Sequence, residues 1–111
     1  VWHLSNGSFA DSTSNANNGT NTGTTDTTGI IEEGRTFNGS SQLISVADSN
    51  SLDEANTFTI SAWIRPTVND NNWRTIVNKG PDSAGGNYWF GIRQSQLEVY
   101  IAGTGYDSNY T

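Results

Sequence analysis

The sequence predicts an all-β chain folded as an antiparallel β-sandwich, and three observations carry that prediction. Short runs with period-two alternation recur along the 111 residues, most plainly where Phe58, Ile60, Ala62 and Ile64 share one face and Thr59, Ser61, Trp63 and Arg65 the other. Turn residues such as Asn38-Gly39 and Asn69-Asp70-Asn71-Asn72 separate these runs. Nowhere does an apolar stripe with helical spacing appear. Composition agrees: only 32% of residues are hydrophobic and 14% charged, the balance being Asn, Ser, Thr and Gly, which suit turns and solvated strand faces.

Taken in order, Val1-Trp2-His3-Leu4 reads as a short apolar edge strand. The polar stretch from Ser5 to Gly29 reads as an ordered loop rather than a flexible linker, because Asn18-Gly19 accepts positive φ and closes a tight turn. Gly34 to Phe37 is the next strand, with Asn38-Gly39 as its turn. Gln42 to Val46 follows, placing Leu43 on one face and Ile44 and Val46 on the other. Asp48-Ser49 and Ser51-Leu52-Asp53 form a capped turn or a single helical turn. The Phe58–Ile64 strand ends at Pro66. Trp73 to Val77, Asn87 to Ile92 and Gln96 to Ile101 are the remaining strands, and Gly103 to Thr111 is a polar tail. The expected core is Phe37, Ile44, Val46, Phe58, Ile60, Ile64, Ile76, Tyr88, Phe90, Leu97 and Val99, with Trp2 and Trp63 packed between layers.

The run from Phe37-Asn38-Gly39 through Leu43-Ile44-Ser45-Val46, Asp48-Ser49 and Ser51-Leu52-Asp53 to Phe58-Thr59-Ile60-Ser61-Ala62-Trp63-Ile64-Arg65-Pro66 resembles the opening hairpin of laminin G-like/concanavalin A-like jelly-roll domains. Those domains read "FDG…YV.VPDS.SLD…FTISAWVKP"; Asn38 stands for the usual Asp and Ala47 for the usual Pro. Asp11 to Thr20 is similar to the family's "DSSGNGNDGT" turn, and Thr75-Ile76-Val77-Asn78-Lys79-Gly80 to its "TIVSKG". The family's second half carries a "W.HVAVTYD" strand and a "LYVDG" hairpin, and neither is present. The resemblance therefore implies that residues 1–111 are a single jelly-roll domain represented by about its first half to two-thirds, completed by the remainder of the domain or by another chain.

A net charge of −6 opposes binding to nucleic acid or to an anionic membrane surface, and no apolar run is long enough for membrane insertion. With no Cys and one His, disulfides and Cys- or His-rich zinc sites are excluded. Starting at Val1, the chain reads as a mature or excised piece of an exported protein, secreted or displayed at a bacterial cell surface.

Three chemistries compete. Jelly-roll glycoside hydrolases need paired carboxylates about 5–9.5 Å apart; Glu32, Glu33, Glu54 and Glu98 are the acidic candidates, yet no strand repeats a carboxylate on one face. Catalytic residues are therefore expected to be absent. Calcium needs roughly six to eight oxygen ligands from loop carboxylates, amides and carbonyls. Asp82 to Asn87, where the resemblance implies a metal or ligand loop, and Asp70 supply such groups, although Asp and Asn are also ordinary turn residues. Sugar rings stack on flat aromatic faces while their hydroxyls bond to amides. Trp73, flanked by Asn71 and Asn72, and Trp89, out of phase with Tyr88 and Phe90, are the carbohydrate candidates, with Tyr106 and Tyr110 behind them. The expectation is a non-catalytic module for a glycan or other cell-surface ligand, assisted by Ca²⁺; a structural spacer and a glycoside hydrolase fragment are the alternatives. Exposed, coplanar Trp73 and Trp89 would favour glycan, and burial of both the spacer.

Overall fold

A computed structural model of the chain describes residues 1–53, 57–80 and 87–101, which fall into two compact units, Val1–Leu52 and Asp53–Thr111. The described residues contain seven β-strands, one 3-10 turn and no α-helix. Every strand pair is antiparallel.

In the first unit, β1 (Gly19–Thr22) pairs with β4 (Leu43–Val46), and β2 (Thr25–Thr28) with β3 (Glu33–Thr36). The segment read as loop from Ser5 to Gly29 thus contains two strands. Their sequences, GTNT and TDTT, alternate no apolar residues, so periodicity could not reveal them. Val1–Leu4 forms a single bridge, Trp2 to Asp11, rather than a strand. The 3-10 turn at Asn50–Leu52 lies where a helical turn was expected.

The first unit is organised around a polar centre. The Arg35 side chain is 4% exposed; its Nε donates to Thr24 Oγ1 at 3.0 Å, its Nη2 to the Thr24 carbonyl at 2.7 Å, and its Nη1 to Asp26. Its guanidinium also stacks 5.0 Å from the centre of the Phe9 ring. Buried Thr24 donates in turn to Asn21 Oδ1. At the start of the unit, Asp11 accepts bonds from the Thr13 hydroxyl, the Val1 amino group and the Thr13 and Asn17 amides, and these hold its carboxyl well below the usual range.

The second unit is a meander of β5 (Arg74–Lys79), β6 (Tyr88–Arg93) and β7 (Gln96–Ile101), in that spatial order, with a bulge between Thr75 and Val77. Cross-strand register sorts its faces. Val77, Phe90 and Val99 align on one, with Ile92 and Leu97 beside them; Asn78, Trp89 and Tyr100 align on the other, with Gly91 and Glu98 beside them. Phe58 packs on Tyr88 of the apolar face with ring centroids 5.0 Å apart.

Several expectations fail here. No apolar side chain among the described residues is buried. Of the expected core, Phe37 and Ile64 are exposed, and Ile44, Val46, Phe58, Ile60, Ile76, Tyr88, Phe90, Leu97 and Val99 are half-buried. Trp63 is 78% exposed and Trp2 is also exposed, its indole N–H spent on the Asn17 carbonyl. Phe58 to Ile64 is not a strand. Alternation marks which side chains share a face, but a strand exists only where a neighbour accepts its backbone bonds, and no described strand lies beside this one.

Two outcomes follow from the first unit. Arg35→Lys keeps the charge and loses the fork, so urea unfolding should show a loss of about 1.5–3 kcal/mol. The depressed Asp11 carboxyl stabilises the fold fully above the unfolded carboxylate value of about 3.9, and that stability is lost as pH falls below it. Melting temperature should therefore drop on acidification below about pH 4, and Asp11→Asn should flatten the drop.

Candidate functional site

The second unit gathers the predicted carbohydrate residues on the polar face of its sheet. Along β6, Trp89, Gly91 and Arg93 alternate outward from Tyr88, Phe90 and Ile92. The Trp89 ring lies over Gly91, whose backbone is buried; a Cβ there would collide with Trp89 Cη2 and Cζ2. Trp89 Nε1 donates to Thr75 Oγ1 at 2.9 Å, across the strand pair. Two ends of the indole are thereby fixed. Trp73, at the entry to β5, packs against it with ring centroids 5.3 Å apart and an interplanar angle of 73°. Trp73 remains 51% exposed. The pair is edge-to-face, not coplanar as the glycan reading anticipated, and only Trp73 offers a broad open surface.

The loop before β5 is tied to the turn after β6. Gln94 and Ser95 both have positive φ, 51° and 61°, forming the tight two-residue connection to β7, and the Gln94 amide donates to the Asp70 carbonyl at 3.1 Å. This anchors the Asp70–Asn72 tip beside Arg93. Arg93 Nε donates to Asn71 Oδ1 at 2.9 Å, and its guanidinium stacks 5.0 Å from the Trp73 ring centre. Asn71 therefore stands in the cluster. Asn72 turns the other way, its amide and Nδ2 both donating to the Asp70 carboxylate. Arg93, Gly91 and Thr75 were not singled out from the sequence. The step of two from Trp89 through Gly91 to Arg93 could have found the last two members of that row.

The predicted metal set is divided. Asp70 caps the start of β5: its carboxylate takes bonds from Arg74 and Asn72, and the Arg74 guanidinium holds its carboxyl below the usual range. Asn87 sits at the far end of the β5–β6 pair, its amide bonded to the Lys79 carbonyl and its Nδ2 to Asp53, which Lys79 also neutralises. Six residues of β5 separate the two sites by about 15–20 Å, whereas two ligands of one Ca²⁺ lie within about 5 Å of each other. Asp70 and Asn87 cannot share an ion. Asp82, Tyr106, Tyr110 and Glu54 lie outside the described residues. Among the described residues, no three His, Asp or Glu side chains gather to hold a metal.

Glu98 is buried, at 4% exposure. Its neighbours on the same face of β7 are Gln96 and Tyr100, and Gly91 lies across from it, so its strand presents no second carboxylate.

Gly91→Ala is expected to expel the Trp89 ring, cost about 1–3 kcal/mol and weaken the near-ultraviolet circular dichroism of the tryptophan pair. Unchanged near-ultraviolet spectra would show that the indole does not rest on Gly91.

The match to known proteins begins at the first residue of the hairpin motif. A family model described as the concanavalin A-like lectin/glucanases superfamily matches residues 37–111. Searches of curated proteins and of solved structures find no significant match. Among the described residues, the two-, two- and three-stranded antiparallel sheets do not close the sandwich that this superfamily implies. Because the family model spans well over half of the sequence, and the described strands are all-β and antiparallel as it requires, the chain belongs to the concanavalin A-like lectin/glucanases superfamily.

Proposed function

We propose that this domain is a non-catalytic carbohydrate-binding module of an exported bacterial protein, taking a glycan or glycan-bearing cell-surface ligand on Trp73, Trp89 and Asn71. The observation that carries this reading is the half-exposed Trp73 indole braced edge-on by a second tryptophan that the sheet itself fixes. An open aromatic face on a rigid scaffold offers a sugar ring apolar contact at little ordering cost. Asn71, at the rim, adds an amide for hydroxyls, whereas Asn72 is turned to Asp70. The superfamily includes lectins by its own description, which supports a saccharide ligand.

Catalysis has no comparable support, since Glu98 lacks a carboxylate beside it on β7. A calcium ion held near Asn87 would not have Asp70 among its ligands, because Asp70 is engaged by Arg74 and stands a whole strand away. The competing role as a structural spacer is favoured by one fact: Trp89 and Trp73 already find partners in Thr75 and Arg93 without any ligand.

Trp73→Ala separates the two. For a binding module, glycan-array signal and titration calorimetry should lose at least tenfold in affinity while stability falls by about 1 kcal/mol, the worth of one aromatic pair. A loss of about 3–5 kcal/mol, with no glycan bound by the parent protein, would make Trp73 a packing residue and leave the spacer.

A further inference from the structure

Resting on the reading of this face as a saccharide site, we infer that it selects acidic sugars, and that Arg93 reads the carboxylate of a uronic acid residue whose ring lies on Trp73. The guanidinium stands 5.0 Å from the Trp73 ring centre, so a ring seated on the indole brings its substituents within reach of the arginine. Asn71 Oδ1 holds Nε at 2.9 Å, which fixes the plane of the fork. Both Nη groups meet no acceptor among the described residues, and no carboxylate there lies within ion-pairing distance of them. The other cations of this sheet are neutralised: Arg74 by Asp70 and Lys79 by Asp53. In a chain with 11 acidic and five basic residues, a guanidinium left without a carboxylate, held in place by an amide and an indole, is arranged for an anion from outside.

Planar geometry favours a carboxylate, which accepts two parallel N–H bonds from such a fork. The net charge of −6 opposes an anionic ligand only at long range, and salt at physiological strength screens that beyond about 8 Å.

The test is calorimetric titration of the full chain with a tetragalacturonate and with the neutral tetragalactose of the same linkage. The expected result is at least tenfold tighter binding of the acidic tetrasaccharide. Arg93→Gln should remove that preference, and Arg93→Lys, which keeps the charge without the fork, should recover only part of it. Melting curves of each variant report whether it folds, and the comparison of the two sugars on the unaltered chain stands without them. Equal or tighter binding of the neutral sugar overturns acidic selectivity and leaves the carbohydrate reading intact. Binding of neither overturns the acidic-sugar assignment, and the glycan array on the unaltered chain then decides the carbohydrate reading. An acidic preference that survives Arg93→Gln in a folded protein overturns the assignment to Arg93.

Discussion

The Trp89 indole rests on the backbone of Gly91, and the geometry of the candidate site depends on that contact. Only a residue without a Cβ lets the ring lie so close to the sheet. With its Nε1 on Thr75 and its benzene edge on Gly91, Trp89 becomes part of the scaffold, and Trp73 packs against a surface that does not move. Arg93, one step further along the same row, then meets Trp73 and Asn71 together. A change at Gly91 would propagate through each of these neighbours in turn.

Elsewhere the chain is held by polar bonds where a larger domain would use apolar burial. Arg35 occupies the centre of the first unit, surrounded by Thr24, Asp26 and Phe9. Loops are closed by side chains bonding nearby backbone: Asn38 Oδ1 accepts from Ser40, Ser41 and Gln42, Asn21 Oδ1 from Thr24, and Asp11 from Thr13 and Asn17. This explains the composition. Asn, Thr and Ser here act as caps and turn locks, with the backbone as their partner. Half-buried apolar residues on one face of the three-stranded sheet, Val77, Phe90 and Val99 among them, are what a sandwich leaves when its sheets are not closed.

The tryptophans divide according to what anchors them. Trp63 lies in a segment with no described strand beside it and is exposed. The exposed Trp2 ring is held through its indole N–H on the Asn17 carbonyl. Trp73 and Trp89 are organised by the sheet and by each other. The four tryptophans thus have different physical roles, set by whether a strand pair lies under the ring.

Alternation and turn chemistry in the sequence determined that the chain is all-β, and the strands read at Gly34–Phe37, Gln42–Val46, Trp73–Val77, Asn87–Ile92 and Gln96–Ile101 lie within two residues of β3 to β7, because period two and Asn-Gly turns are local properties. The motif from Phe37 to Pro66 was likewise enough to point to the superfamily. Strands β1 and β2 escaped notice, since Thr- and Asn-rich segments carry no apolar signal and become strands only through their partners. The same dependence on partners removed the strand expected over Phe58–Ile64. Trp73 and Asn71 were legible as candidates from their place at a loop-to-strand junction. That Arg93 joins them, that the tryptophans meet edge to face, and that Asp70 and Asn87 lie a strand apart were decided by tertiary structure alone, because each depends on which residues the register brings opposite one another.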